Sequence, residues 1–267
     1  MARLKLTLAY EGTRYSGWQL QSGAGGRCPT IQGEVEKAIA LLLGRRYPVS
    51  GAGRTDAGVH AEAQVCHVDL PDNSTRIQWR KALNAKLPDD IRILEAAWAP
   101  PEFHARNDAR LKRYAYSLWM DKERPLPRVR SFVWNVPALD VDSMRAAFPM
   151  LAGSRDFAAF QNRGTPVRQT VRTLTTISWQ PGMVAAMRCP EDWPVATVTF
   201  EGDGFLKQMA RNLVGMLVWI GLGKLPLESL PALVSSGDRR ILPSPSAPAR
   251  GLTLMGVDYA DAGPPAG

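Results

Sequence analysis

The alternation of apolar and polar residues predicts strands along much of the chain. Residues 4–10 alternate apolar with polar or small side chains, from Leu4 to Tyr10, so we expect a strand there with one buried face. The same criterion predicts further strands over 49–53, 63–70, 91–98, 112–120, 171–179, 195–201 and 252–259. Strands are therefore predicted in both halves of the chain.

Apolar residues at helical spacing predict helices between these strands. The clearest helix follows Thr30, a good N-cap, and runs from Ile31 up to Gly44, a good C-cap. The others are predicted over 78–87, from just after Asp140, from about Phe205 to Ile220, and over 227–234. Helices and strands are thus interleaved along the chain.

The order of these elements favours an α+β fold. Several strand pairs are joined by segments too short for a helical crossover, so a mixed or antiparallel sheet is favoured over a doubly wound one. We expect two α/β halves, an N-terminal one over residues 1–107 and a C-terminal one over 108–259. Residues 260–267 have too little apolar surface to bury, and we expect a mobile tail there.

Composition is typical of a folded protein in a reducing compartment. Of the 267 residues, 45% are hydrophobic and 22% are charged, which excludes a disordered or fibrous chain. The three cysteines are widely spaced and form no C-x-x-C pair, so we expect neither a disulfide framework nor a zinc site. Residues 3–10 lack the apolar core of a signal peptide, and no apolar stretch reaches the ~18 residues of a membrane span. We therefore expect a soluble, cytoplasmic protein without a bound metal.

The charge and the missing nucleotide motifs narrow the function further. A net charge of +8 suits a polyanionic partner such as nucleic acid, although many basic proteins bind none. The chain has neither a G-x-x-x-x-G-K-[ST] loop nor a G-x-G-x-x-G turn after a strand. Nucleotide-driven and dinucleotide chemistry are therefore unsupported, and we expect a reaction that needs no cofactor.

The densest group of candidate functional residues is the run G-A-G-R-T-D-A-G-V-H at 51–60. Its three glycines allow a tight turn between two strands, with Asp56 on the turn and Arg54 beside it. Asp56 either bonds its own backbone in an ordinary β-turn or serves as a functional carboxylate, which the guanidinium would keep ionised. His60 and Glu62 match the H-x-E half of a zinc deaminase motif, but the P-C-x-x-C half is absent, which argues against that function.

Two aromatic residues on one predicted strand face are candidates for RNA binding. Tyr114 and Tyr116 lie two residues apart in the strand over 112–120, after the basic pair Lys112 and Arg113. A tyrosine on a sheet can stack on an unpaired base for ~1–3 kcal/mol, or it can fill the core under the sheet. Periodicity leaves open which tyrosine takes which role.

Two cations stand near the start of the helix predicted from Phe205. Lys207 and Arg211 are four residues apart, so we expect them to share one face close to the positive end of the helix dipole. This arrangement suits the binding of an anion, either a phosphate or a carboxylate. A solvated surface face explains it equally well, because the local electrostatic cost is small.

Several segments together resemble the TruA-type tRNA pseudouridine synthases, in order from about residue 4 to residue 259. The most specific of them is G-R-T-D-A-G-V-H-A at 53–61. The others are Y-E-G-T-R-Y-S-G-W-Q at 10–19, I-Q-G-E-V-E at 31–36, Q-V at 64–65, N-A-K-L-P-D-D-I at 84–91, F-H-A-R at 103–106, R-Y-A-Y at 113–116, M-A-R-N-L-V-G at 209–215 and A-P-A-R-G-L at 247–252. We therefore expect a member of this family.

The resemblance implies an isomerase that converts uridine to pseudouridine at positions 38, 39 and 40 of the tRNA anticodon arm. It implies that Asp56 is the catalytic carboxylate, which either attacks C1′ or removes the C2′ proton, and that Arg211 pairs with Asp56. The substrate-binding residues that it implies are Arg54, Tyr114, Lys207 and Arg106. Among these, Tyr114 would stack on the target base and Arg54 would assist base flipping or place the RNA backbone.

The resemblance also implies an architecture and partners. Two α/β halves share an extended, mostly antiparallel sheet, with helices packed on one side and a basic cleft between the halves. A homodimer binds tRNA, and no cofactor takes part. Two alternatives remain: an RNA-binding module without activity that uses the same cleft, and a cofactor-free glycosidic-bond enzyme that acts on another RNA. Asp56 separates binder from enzyme, because a pure binder has no need of a catalytic carboxylate.

Overall fold

The computed structural model describes residues 1–21, 28–162 and 169–260, and it divides into two compact units. Unit 1 comprises Met1–Arg110 and the segment that begins at Leu254, and unit 2 comprises Leu111–Thr253. Of the tail predicted over 260–267, residues 261–267 lie outside the described residues. None of the helices in the described ranges is long and apolar enough to cross a membrane.

Twelve strands and six α-helices lie in the described residues. The strands are β1 (Ala2–Tyr10), β2 (Ser50–Gly51), β3 (His60–Leu70), β4 (Ile91–Ala99), β5 (Ala109–Met120), β6 (Trp134–Val136), β7 (Gly153–Asp156), β8 (Val171–Pro181), β9 (Met183–Val184), β10 (Met187–Arg188), β11 (Val195–Gly202) and β12 (Leu252–Tyr259). The helices are α1 (Ile31–Leu43), α2 (Trp79–Asn84), α3 (Val141–Ala146), α4 (Phe148–Leu151), α5 (Met209–Gly221) and α6 (Leu230–Ser235).

Unit 1 is built on the sheet order β4-β1-β3-β12, with β2 paired to β3. Strand β1 is antiparallel to both β3 and β4, and β2 is antiparallel to β3. The alternation in β1 buries Leu4, Leu6, Leu8 and Tyr10, each of which is no more than 4% exposed. The strand predicted over 4–10 is therefore confirmed, and it starts two residues earlier, at Ala2.

Helix α1 has the two ends that the sequence predicts. The Thr30 hydroxyl accepts the Gly33 N–H, which satisfies one of the first backbone donors of the helix. At the other end Gly44 adopts φ 78° and donates its N–H to the Ala40 carbonyl. Both predicted caps are confirmed.

Helix α2 is shorter than the predicted range 78–87, since it ends at Asn84. At this end the Asn84 side chain donates to the Ile93 carbonyl at 2.9 Å and accepts the Ile93 N–H at 2.8 Å. The amide therefore ties the end of the helix to β4, and residues 85–87 follow as turns and a bend. The prediction was right about the helix and wrong about where it ends.

Unit 2 is built on the sheet order β5-β11-β8-β7, with β6 paired to β5. Strand β11 is antiparallel to β5 and to β8, and β7 is antiparallel to β8, whereas β6 runs parallel to β5. The side chains of β11 form much of the core: Val195, Ala196, Thr197, Val198 and Phe200 are each no more than 2% exposed. The described sheet structure is thus mixed, with few helices, which confirms the predicted α+β class.

Helix α5 begins later than the sequence predicts. Expected from Phe205, it covers Met209–Gly221, because Gln208 adopts a left-handed backbone conformation at φ 63° and interrupts the helical path. Lys207 therefore precedes the helix instead of lying within it. The prediction that Lys207 shares a helix face with Arg211 is wrong.

Candidate active site

The run that carries Asp56 forms the loop between β2 and β3. Residues 52–59 close this antiparallel hairpin, and within them the Asp56 carbonyl accepts the Val59 N–H at 3.2 Å. Gly58 in the same turn sits at φ 79°, a conformation that side chains disfavour. The predicted turn is therefore present. It leaves Asp56 half-buried and Arg54 exposed.

Thr55, the residue before Asp56, is held by the segment that follows β1. The Trp18 N–H donates to the Thr55 carbonyl at 3.1 Å, and the hydroxyls of Tyr10 and Thr55 share a hydrogen bond of 2.8 Å. Burial raises the pKa of Tyr10 far above its usual range, so the phenol keeps its proton at neutral pH. Because both the backbone and the side chain of Thr55 are fixed, the position of Asp56 is restricted.

Glycine is required where the segment after β1 touches this loop. A Cβ on Gly12 would lie 1.9 Å from the Val59 carbonyl oxygen, and a Cβ on Gly17 would lie 2.5 Å from that of Thr55. Gly17 also sits at φ 90°, which favours glycine for a second reason. The Asp56 loop is thus positioned by direct contact between two backbones.

His60 joins the same two segments. Its Nδ1 accepts the Gly12 N–H at 3.1 Å, and its side chain is only 2% exposed. This contact needs an unprotonated Nδ1. The H-x-E pattern around His60 gives no sign that this histidine accepts a backbone N–H, so sequence reasoning missed this structural role. Within the described ranges, no group of three His, Cys, Asp or Glu side chains is placed to hold a metal ion.

Asp90 ties the segment after β1 to the start of β4. The Tyr15 hydroxyl and the Arg14 guanidinium donate to its carboxylate at 2.5 and 2.6 Å. Burial by itself would raise the pKa of Asp90, but these two donors bring it below its usual range. Asp90 is therefore ionised at neutral pH and anchors the segment that holds the Asp56 loop.

The structure distinguishes the two tyrosines of β5. Tyr116 is fully buried, and its hydroxyl donates to the Pro248 carbonyl at 2.8 Å. Tyr114 is 8% exposed, and its ring packs edge-to-face with Phe205 at a centroid distance of 4.9 Å. Both tyrosines are therefore buried, and Tyr114, the more exposed of the two, remains the candidate for stacking on a base.

Lys207 and Arg211 are placed by different elements. Lys207 is exposed in the segment before α5, and its carbonyl accepts the Asn162 N–H at 3.0 Å. Arg211 lies in the first turn of α5, where its Nε donates to the Ala247 carbonyl at 2.7 Å. The Arg211 carbonyl in turn accepts the Ala247 N–H at 3.0 Å. The segment that contains Ala247 therefore orients this guanidinium.

Two further residues hold α5 against neighbouring segments, and sequence reasoning missed both. Asn212 is 1% exposed; its side chain donates to the Phe160 carbonyl at 2.7 Å and accepts from the Ser246 hydroxyl. A Cβ on Gly215 would lie 2.0 Å from the Pro245 carbonyl oxygen, so only glycine allows this close approach. A polar residue and a glycine within the apolar stripe of a helix are the signal that could have found them.

Arg106 follows a backbone segment that three strands of unit 1 hold. His67 of β3 accepts the Ala105 N–H through Nδ1 at 3.2 Å, and Tyr259 of β12 donates to the Ala105 carbonyl at 2.7 Å. Arg3 of β1 donates to the carbonyl two residues before Ala105, at 2.7 Å. Arg106 itself is exposed. A cation is thus presented to solvent from a fixed backbone.

Each unit carries three of the predicted site residues. Those of unit 1 are Arg54, Asp56 and Arg106, and those of unit 2 are Tyr114, Lys207 and Arg211. A carboxylate of this kind can attack carbon or remove a proton, an aromatic ring can stack on a base, and the cations can bind phosphate. These are the groups that RNA chemistry at a nucleoside requires.

Comparison with known proteins decides the family. Residues 7–108 and 147–260 match the model of a family described as tRNA pseudouridine synthase. The chain belongs to the tRNA pseudouridine synthase family. The expected resemblance is therefore confirmed, and this tRNA pseudouridine synthase is an isomerase that acts on tRNA.

Curated relatives named tRNA pseudouridine synthase A match the chain almost from end to end. The relative from Oleidesulfovibrio alaskensis is 48% identical over 277 residues, which cover 98% of this chain and 98% of the relative. The relative from Lawsonia intracellularis is 44% identical, with 97% of this chain and 100% of the relative covered. The relative from Geobacillus kaustophilus is 38% identical, with 97% and 95% covered.

Proposed function

We propose that this tRNA pseudouridine synthase modifies uridines 38, 39 and 40 of the tRNA anticodon arm, with Asp56 as its catalytic carboxylate. The observation that supports this most directly is the Asp56 loop. There a half-buried carboxylate follows a buried threonine on a backbone held by close glycine contacts. Membership of the family supports the substrate class and the reaction.

The reaction exchanges one bond to C1′ for another. The N1–C1′ glycosidic bond breaks, the uracil turns in its pocket, C5 bonds to C1′, and the proton on C5 leaves while N1 gains one. Asp56 either attacks C1′ to form a covalent intermediate or removes the C2′ proton. Both routes need an ionised carboxylate. Because the product is an isomer of the substrate, no water is consumed and no redox cofactor is needed.

Two arginines support the carboxylate in this proposal. Arg211 pairs with Asp56, and its positive charge favours the ionised carboxylate. The Ala247 contacts hold the Arg211 side chain in one orientation, which suits a fixed partner. Arg54 flanks Asp56 in the loop and is exposed, so it assists the extraction of the target nucleotide or places the RNA backbone.

Three further side chains bind the RNA in this proposal. Tyr114 stacks on the extracted base, and the edge-to-face contact with Phe205 keeps its ring in place. Lys207 and Arg106 are both exposed cations, and they contact phosphates. The net charge of +8 supports a broad contact with the tRNA backbone.

The proposed assembly follows the family. In it the two halves share one extended sheet with helices on one side, and a basic cleft between the halves takes the tRNA. Two copies form a homodimer, without a cofactor. The enzyme works in the cytoplasm, where its tRNA substrate is matured.

Asp56→Asn tests the proposal with little change in side-chain size. We expect pseudouridine formation to fall below about one-thousandth of the wild-type rate, because the amide can act neither as nucleophile nor as base. The affinity for tRNA should stay within about threefold, since phosphate contacts dominate it. Carbodiimide-adduct primer extension measures the product, and filter binding measures the affinity. Asp89→Asn, an exposed carboxylate of the same unit, is the matched control.

Other outcomes would point elsewhere. Full activity of Asp56→Asn would remove the catalytic role from this residue. A wild-type protein that binds tRNA and forms no pseudouridine in any RNA would support the binding module instead. Pseudouridine found only in an RNA other than the anticodon arm would support an enzyme with a different substrate.

A further inference from the structure

A cleft lies in unit 1, between the start of α2 and the strand β4. Its volume is about 380 Å³, within the ~300–1,000 Å³ range of ligand sites. The lining residues used in the argument below are Leu4, Trp79, Arg80, Lys81 and Trp98. We call it the α2–β4 cleft. It contains none of the six predicted site residues, so it is separate from the candidate active site.

Trp98 forms an exposed aromatic wall of this cleft. It pairs with Leu4 across β4 and β1, so the two side chains lie on the same face of the sheet. Leu4 is 1% exposed on this face, whereas Trp98 is 40% exposed. All eight tryptophans lie in the described ranges, and Trp98 is the exposed one among them. An indole left open beside a buried face offers a surface for stacking.

The opposite wall is rigid and basic. Trp79 is 3% exposed, and its Nε1 donates to the Ser74 carbonyl at 3.2 Å, which fixes the first turn of α2. Arg80 and Lys81 follow it, and both are exposed. Neither forms an ion pair with another residue of the described ranges. The described residues that line the cleft include no carboxylate, so its charge is positive.

We propose that the α2–β4 cleft binds an unpaired nucleotide of the tRNA substrate, at a site distinct from the one that holds the target uridine. The base stacks on Trp98, and the phosphate lies between Arg80 and Lys81. Stacking on one ring beside a backbone-binding cation is how proteins hold unpaired nucleotides. This inference rests on the proposed function, because it takes the RNA to be the tRNA that the active site modifies.

The distance between the two sites suits one RNA molecule. Leu4, in the cleft, and Tyr10, which bonds to Thr55 beside Asp56, lie six residues apart on β1. At ~3.3 Å per residue this separation is ~20 Å along the strand. A tRNA spans this length readily, so the cleft adds affinity without touching the reacting atoms.

Trp98→Ala and Trp98→Phe measure the stacking part. With full-length tRNA we expect Trp98→Ala to raise KM about tenfold, because the variant loses the stacking of one base. We expect kcat to stay unchanged. Trp98→Phe keeps an aromatic face and should recover most of that loss. A KM unchanged in Trp98→Ala would overturn the proposal, as would an equal loss of kcat in both variants.

The salt dependence of tRNA binding tests the role of Arg80 and Lys81. The double variant Arg80→Ala, Lys81→Ala should weaken tRNA binding and lower the slope of log Kd against log salt by about 1 to 2. Lys37→Ala, an exposed lysine of the same unit on α1, is the control and should change neither. Half the effect or more in Lys37→Ala, which removes one charge instead of two, would show that only net charge matters, and this would overturn a specific phosphate site.

Short RNAs test whether the base must be unpaired. A single-stranded decamer should bind Trp98→Ala more weakly than wild type, whereas a blunt duplex of ten base pairs should bind both alike. An equal loss for both RNAs would overturn the stacking claim. These Kd values need no turnover, so they decide on the cleft even if Asp56→Asn proves fully active and the proposed catalysis fails. If Trp98→Ala fails to fold, the salt dependence of the double cation variant decides the proposal.

Discussion

The loop that carries Asp56 and the helix start that carries Arg211 are held in different ways. Beside Asp56, Thr55 forms hydrogen bonds with Tyr10 and Trp18, and glycines let two backbones touch. At α5 the arginine itself makes a holding bond, from its Nε to the Ala247 carbonyl, and Asn212 beside it makes others. Both sites combine hydrogen bonds with close glycine contacts, but at the start of α5 the functional side chain itself forms one of these hydrogen bonds.

This difference decides how substitutions are interpreted. At Asp56 a variant changes the carboxylate and leaves the glycine contacts and the Thr55 bonds in place. At Arg211 a variant removes a charged group and a structural hydrogen bond together, so lost activity there has two causes. The first two predictions below test this contrast, and the third concerns a buried histidine of unit 1.

The largest effect is expected at Gly12, where the Asp56 loop depends on shape. Gly12→Ala would bring a Cβ within 1.9 Å of the Val59 carbonyl oxygen, a backbone atom that cannot rotate away. We expect the free energy of unfolding to fall by at least ~3 kcal/mol, the upper part of the overpacking range. Urea denaturation followed by circular dichroism measures it.

Gly44→Ala is the control for this change. Gly44, unlike Gly12, adopts a positive φ of 78°, but a Cβ there would meet no heavy atom within 4 Å. Its cost should be only the ~1 kcal/mol of a left-handed conformation. If both variants lost the same stability, close backbone contact would not be what holds the loop.

A smaller effect is expected at Asn212, where the helix start depends on hydrogen bonds. Asn212→Ala leaves the buried Phe160 carbonyl without its donor, which should lower the free energy of unfolding by ~2 kcal/mol. Asn73→Ala, at an exposed asparagine in unit 1, should stay within ~0.5 kcal/mol. Thermal and urea unfolding of both variants check the contrast, and equal small losses would contradict it.

The smallest effect concerns pH, and it is confined to unit 1, which contains all three histidines of the chain. Burial, and then the nearby Arg3 and His104, lower the pKa of His67 below its usual value. The unfolded chain therefore binds a proton at His67 more readily than the folded one. This contribution to stability is complete above about pH 6.5 and is lost as the pH falls below it towards the folded pKa.

Protonation at Nδ1 would also remove the acceptor for the Ala105 N–H. Between pH 7.5 and 5 we expect wild-type stability to fall and the Ala105 amide to exchange faster. His67→Asn keeps an acceptor that does not titrate, so its stability should depend less on pH in this interval. Carboxylates with lowered pKa values, such as Asp69 and Asp90, titrate at lower pH and do not interfere. Identical pH dependence in both proteins would rule out His67 as the cause.

Elements whose signals are local were predicted well. The strand β1 follows from alternation, and α1 follows from helical spacing between two capping residues, which the structure confirms at Thr30 and Gly44. The turn that carries Asp56 follows from three glycines close together in the chain. The family follows from a run of nine residues together with weaker matches in the same order.

Elements whose limits depend on distant atoms were predicted less well. The start of α5 was placed at Phe205, although Gln208 adopts a left-handed conformation that keeps the helix from starting before Met209. The end of α2 was placed too late, because the partner of Asn84 lies on β4. The structural roles of His60 and Asn212 were missed, since their partners lie far away in the sequence.

The amino-acid sequence by itself determined the class of fold, the positions of most strands and helices, and the family. These properties follow from the spacing of residues a few positions apart, because helices and strands each place side chains on one face at a fixed period. Only the tertiary structure decided that both tyrosines of β5 are buried, where α5 begins, and that Trp98 is exposed beside the basic start of α2. Those features depend on contacts between segments tens of residues apart, and no local pattern encodes the distance between such segments.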